Sequence, residues 1–168
     1  MVKTNKRMEE KGQRTPRSTD VYKPKGGLKE ESYCTKCGAV YRSKRWVLDA
    51  DELQRLKGTT GVGKVVCPGC LRIKDNNPAG IVTAKGKYFL QHEEEVLNLI
   101  KHIEAKSRQK NPLGRIMEIS QEKDLLTIAT TEEKLAQKLG RELFKAHGGE
   151  LAYQWSHDQN FVRVNWKR

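Results

Sequence analysis

Apolar and polar residues in the second half of the chain follow two periods, and each change of period marks an element. From Gln91 to Arg108, Val96, Ile100 and Ile103 recur at helical spacing, joined by Leu97 and Leu99. Glu93, Glu94 and Glu95 open this helix and Lys101, Lys106, Arg108 and Lys110 gather near its end, matching the macrodipole. Asn111-Pro112 stops it. A strand from Arg115 to Ser120, a turn at Glu122-Lys123-Asp124 and a strand from Leu125 to Thr130 follow. Thr130 and Glu133 have the form of a capping box, so a second helix is expected to about Ala146, closed by His147-Gly148-Gly149. Leu151–Trp155 and Phe161–Trp166 form a closing hairpin, with Tyr153, Trp155, Phe161 and Trp166 in the core. Before all this, Ile81-Val82-Thr83 and Tyr88-Phe89-Leu90 flank Gly86 as a short extended segment. The predicted order is helix–strand–strand–helix–strand–strand. With neighbouring strands antiparallel, residues 79–168 make a two-layer α+β domain.

Shorter runs precede it. Val40-Tyr41 and Arg45–Leu48 read as strands, Asp49–Lys57 as two helical turns opened by Asp49 or Asp51, and Lys64-Val65-Val66 as a returning strand after the Gly58–Gly63 loop. That loop lacks the spacing and the ending of a phosphate loop. Strand, excursion and return make a small ribbon over residues 30–78, covered by Tyr33, Tyr41 and Trp46 around a core too small to stand alone.

The chemistry of this block lies in its cysteines. The chain has four, as two pairs of identical spacing, Cys34/Cys37 and Cys67/Cys70, with 29 residues between them. Each pair puts two thiolates on one tight turn, and two facing turns make the all-sulfur tetrahedron that Zn²⁺ favours. Gly38 suits a left-handed backbone beside the first pair, while Pro68 and Gly69 shape the second. One structural Zn²⁺ is the expected cofactor. An iron–sulfur cluster, a redox pair and two disulfides are the competing readings. The start of the chain has no apolar targeting run, which argues against an oxidising compartment. Lys36, Arg42, Lys44 and Arg45 stand near the first pair and would offset the charge of a tetrathiolate centre.

Charge extends the picture. The 168 residues carry 33 Lys and Arg against 21 Asp and Glu, a net charge of +12, which points to a polyanionic partner. Nine basic side chains and three acidic ones fall within residues 1–29, half of that excess. Poor in large apolar groups, the stretch is expected to be a flexible basic arm that lies along phosphates, with Arg14 and Arg17 among its contacts. Lys134, Lys138, Arg141 and Lys145 recur along one face of the second helix, opposite Leu135, Leu139 and Leu143. They span about 16 Å, comparable with several consecutive phosphates. Arg42, Lys44, Arg45, Arg72 and Lys74 beside the cysteines share the sign, so all these residues are candidate RNA contacts. No aromatic–basic strand of the base-stacking kind is present, so recognition by backbone and shape is expected.

Catalytic residues are not evident. His92, His102, His147 and His157 are scattered, and no nucleophile elbow, Walker motif or deaminase pairing occurs. No run reaches the roughly 18 apolar residues of a membrane span. A soluble, cytoplasmic protein without a small-molecule substrate is expected.

Tyr33-Cys34-Thr35-Lys36-Cys37-Gly38, then Cys67-Pro68-Gly69-Cys70-Leu71-Arg72 and Pro78-Ala79-Gly80, make the chain resemble a known family. It is that of the large-ribosomal-subunit export adaptors, named after nonsense-mediated mRNA decay. The layout from Leu125 to Arg163, with Lys134, Leu135 and Leu139 on its helix, is also similar, and the likeness spans about residues 30–168. The family has more cysteine pairs, and this chain lacks the length for its further domains and transport signals, so nuclear export does not carry over. Short prokaryotic proteins of the same build are similar as well. The resemblance implies contact with ribosomal RNA or the large ribosomal subunit, with ribosomal proteins as further partners, in assembly, hibernation or quality control. The alternative is a zinc-ribbon adaptor for another protein or a transcription-associated nucleic-acid-binding factor.

Overall fold

The computed structural model describes residues 7–12, 20–156 and 160–168. Its larger lobe is a six-stranded sheet with strands β1 (Arg7–Lys11), β6 (Gly80–Lys85), β7 (Ile116–Glu122), β8 (Leu125–Thr130), β9 (Glu150–Trp155) and β10 (Val162–Lys167). Their spatial order is β1-β9-β10-β6-β8-β7. Helices α3 (Lys87–Gln91), α4 (Glu93–Lys110) and α5 (Glu133–His147) complete it. Inward positions alternate along the strands: Val82 and Ala84, Leu126 and Ile128, Leu151 and Tyr153, Val162, Val164 and Trp166. They pack with Val96, Ile100 and Ile103 of α4 and Leu135, Leu139 and Leu143 of α5 in one core. The α+β class is therefore as expected.

Three expectations change. The sheet is mixed, because β10 runs parallel to β6 and β1 parallel to β9. Both strands of the closing hairpin alternate equally well, so their pattern does not say which one docks on β6. Next, Ile81–Thr83 lies in the middle of the sheet, and Tyr88–Leu90 is helical rather than extended. Finally, Arg7–Lys11, inside the stretch expected as a flexible arm, forms β1, and Trp155 Nε1 donates to Glu10 at 2.8 Å.

The capping box does not form. Thr130 Oγ1 donates to the Glu132 carbonyl at 2.8 Å, and Thr131 Oγ1 accepts from the Arg115 N–H at 2.8 Å. Thr130 Oγ1 is also 3.3 Å from the Gly80 carbonyl, so neither hydroxyl is left to cap the helix, and α5 begins at Glu133.

Helix α5 sits close to the sheet through glycine. A Cβ on Gly140 would lie 2.3 Å from Val164 Cγ1, and one on Gly80 would lie 2.5 Å from the Ala136 Cβ. Gly140→Ala should thus lose up to about 2 kcal/mol in urea denaturation. The overpacking cost of ~1–3 kcal/mol exceeds the ~1 kcal/mol gained in helix propensity. A stabilised Gly140→Ala protein would contradict this packing.

The smaller lobe holds a four-stranded sheet, order β4-β3-β2-β5, built from β2 (Ser32–Cys34), β3 (Val40–Arg42), β4 (Arg45–Val47) and β5 (Gly63–Val65). Helix α1 (Ala50–Lys57) follows β4, with Asp49 capping the Glu52 N–H at 3.0 Å. Helix α2 (Pro68–Lys74) follows β5. The lobe's apolar core is slight: Tyr33, Val40 and Leu56 are its fully covered members away from the cysteines.

Candidate metal centre and the cleft beside it

The turn after β2 carries Cys34 and Cys37. The Cys34 N–H donates to the Ala39 carbonyl at 2.8 Å and the Gly38 N–H to the Cys34 carbonyl at 3.0 Å. Gly38 has φ +76°, the left-handed backbone expected of it. The second pair departs from a ribbon of two hairpins: Cys67 is the N-cap of α2 and Cys70 lies in its first turn. There the Cys70 N–H donates to Cys67 Sγ at 3.4 Å, and the Cys67 N–H reaches across to Cys34 Sγ at 3.3 Å. One pair is on a knuckle and the other on a helix start.

The four sulfurs lie within 4.8 Å of one another. Cys34 and Cys70 approach to 3.8 Å, Cys37 and Cys67 to 3.7 Å. Such an all-thiol cluster suits a single metal ion. A hydrogen bond from Cys67 pulls the Cys37 thiol well below its ordinary range. The same bond pushes Cys67 up, and burial raises Cys70. Cys67 and Cys70 are thus held toward the protonated form, and a bound cation would displace those protons.

Arg115 completes the centre. Its Nη2 donates to Cys70 Sγ at 3.1 Å and lies 3.8 Å from Cys67 Sγ. The side chain comes from the residue just before β7 in the other lobe and is buried there, with Nε lacking any hydrogen-bond partner. Burial works against its charge, but the Cys70 hydrogen bond and the cysteine charges outweigh that and raise its pKa. Gly69 lets this approach happen, since a Cβ would fall 2.8 Å from the Leu113 carbonyl oxygen and 2.9 Å from Arg115 Nη2. Its role is close contact between lobes rather than turn geometry. Arg115 was unmarked in the sequence, where it read only as the first residue of a strand.

The cations named from sequence divide into groups. Lys134, Arg141 and Lys145 are exposed and Lys138 half-buried along the outer side of α5. Arg42 pairs with Asp49 at 3.3 Å, and Lys36 and Lys74 are exposed. Arg72 is a correction. It is buried, bonded to Asp20 at 3.1 Å and to the Asn77 carbonyl at 3.1 Å, and stacked over Tyr22 at 4.5 Å. It fastens residues 20–22 to α2 and is not an outward contact. Arg14 and Arg17 lie outside the described residues, as does His157.

Lys44 and Arg45 meet Lys134 in one place. A cleft of about 640 Å³ runs between the lobes, lined by both hairpin residues, by Lys134 and Lys110 from the helices, and by Tyr41 and Trp46. The hairpin is set by Ser43 (φ 49°) and Lys44 (φ 60°), both left-handed. The Glu30 carboxylate holds them, accepting from their N–H groups at 2.8 and 3.1 Å.

The chain matches no protein-family model, no curated protein and no solved structure. Among the described residues, no helix is long and apolar enough to cross a membrane.

Proposed function

We propose that this is a non-catalytic, zinc-stabilised RNA-binding protein acting on the large ribosomal subunit, as its resemblance to the export adaptors implies. The metal reading draws on geometry. Four sulfurs at about 2.3 Å from Zn²⁺ in a tetrahedron stand about 3.8 Å apart, close to the 3.7 and 3.8 Å separations here. The ion would have four protein ligands and no open position, which suits a structural role.

One observation carries the RNA reading: cations from distant parts of the chain, Lys44, Arg45, Lys110 and Lys134, converge on a single cleft. The exposed α5 row leads away from it. Replacing Lys134, Lys138, Arg141 and Lys145 with Gln should weaken co-sedimentation with ribosomes. If each meets a phosphate, the slope of log affinity against log salt should flatten by about 3. Lys44→Gly is a cleaner single change. It removes a cleft cation at a left-handed position where glycine fits without strain, so affinity should fall while thermal stability holds or rises. An unchanged salt slope in the fourfold variant would count against RNA and for the protein-adaptor alternative.

A further inference from the structure

We infer that the cleft between the lobes receives an unpaired stretch of RNA, with one base stacked on Trp46. This rests on the RNA reading above and deepens it. Trp46 and Tyr41 are cross-strand partners on β4 and β3, with ring centroids 5.3 Å apart at 58°. Behind them is the cysteine cluster, against which Trp46 packs. An aromatic fixed from behind by a metal centre is a stacking platform that gives up little freedom when a base arrives.

The charges around it fit a phosphodiester. Lys44 and Arg45 stand on the same wall as Trp46, Lys110 and Lys134 on the helical side, and Lys23 also lines the space. Its two carboxylates are already engaged: Asp20 by Arg72, and Glu132 by the Asn111 amide at 2.7 Å. At about 640 Å³ the cleft lies within the ~300–1,000 Å³ usual for ligand sites. An aromatic recessed between two walls meets the faces of splayed bases, which a paired helix keeps stacked inside. The sequence hid this arrangement, because the cations are supplied by four separate segments.

Trp46 fluorescence tests it directly. Trp155 and Trp166 are 5% and 1% exposed, so Trp46 is the indole that a ligand can reach. Adding a 12-nucleotide oligouridylate to the zinc-loaded protein at low salt should quench that emission and shield it from acrylamide. A duplex RNA of equal length should do neither. Trp46→Leu should lower single-strand affinity about tenfold, in line with the usual worth of one stacked base. Because Trp46 also packs on the cysteines, Lys110→Gln with Lys134→Gln serves as the second variant. Both positions are exposed, and the pair should weaken oligouridylate binding severalfold with the metal content unchanged. Equal affinity for single strand and duplex without quenching would overturn the stacking site and leave the phosphate reading standing. Tighter binding of oligodeoxythymidylate would overturn the assignment to RNA. Absence of binding to either RNA would remove both readings.

Discussion

Stripping the metal from the cysteine quartet is expected to unfold the smaller lobe and spare the six-stranded sheet. Tyr33, Val40 and Leu56 are a meagre core for residues 30–78, and binding energies of ~10–16 kcal/mol at structural zinc sites are also folding energies. Without the ion, only weak thiol hydrogen bonds at 3.7–3.8 Å link the sulfurs, and these cannot replace four metal–sulfur bonds. The larger lobe keeps its own core of eighteen buried residues on α3, α4, α5 and the strands, enough to persist. Hydrogen exchange after chelation should therefore show lost protection from about residue 30 to 78 and retained protection in β6, β8, β9 and β10. Loss should extend to residues 111–116, since Leu113 and Arg115 rest on the cysteines. Low pH should act like a chelator, because protons compete with the metal for thiolate. Native-like exchange in metal-free Cys34→Ser protein would refute the assignment.

Sequence pattern disclosed what depends on local periodicity. Helix α5 was legible because Leu135, Leu139 and Leu143 repeat at its period and Gly148 ends it, with φ +70°. Strand β8 was legible from its alternation, and α1 from the Asp49 cap. Strand β6 was read only as the short extended piece Ile81–Thr83, because its inward positions are small, Gly80 and Ala84 among them, so that α5 can lie close. A weak hydrophobic signal there reflects tight packing, not surface location. Strand β1 escaped for the opposite reason: its side chains are all exposed and its order comes from pairing with β9. At the metal centre the ligand spacing was plain, since both pairs are local. That Cys67 caps a helix and that Arg72 is spent on Asp20 and Tyr22 depend on distant neighbours. Charge counted along the sequence cannot separate a cation facing solvent from one fastening a segment.

Arg115→Met should expose how far the metal centre depends on the other lobe. The substitution keeps a side chain of comparable length, so it isolates the loss of charge and of the bonds to Cys70 and Cys67 at 3.1 and 3.8 Å. A tetrathiolate zinc centre carries a charge of −2, and removing one partner of a buried charge pair costs ~3–5 kcal/mol. Partners beside the ligands contribute 10–100-fold to metal affinity in comparable sites, so the variant should release metal to a competing chelator by about that factor more readily. The Arg115 backbone remains tied to Thr131, donating at 2.8 Å and accepting at 2.9 Å, and β7 should stay in its sheet. Lys at this position should restore only part of the affinity, since an ammonium group lacks the guanidinium fork that spans two sulfurs. Wild-type metal affinity in Arg115→Met would reduce the residue to packing. A loss confined to the smaller lobe would instead make it the link through which the α+β lobe holds the metal site, and with it the cleft wall bearing Lys44, Arg45 and Trp46.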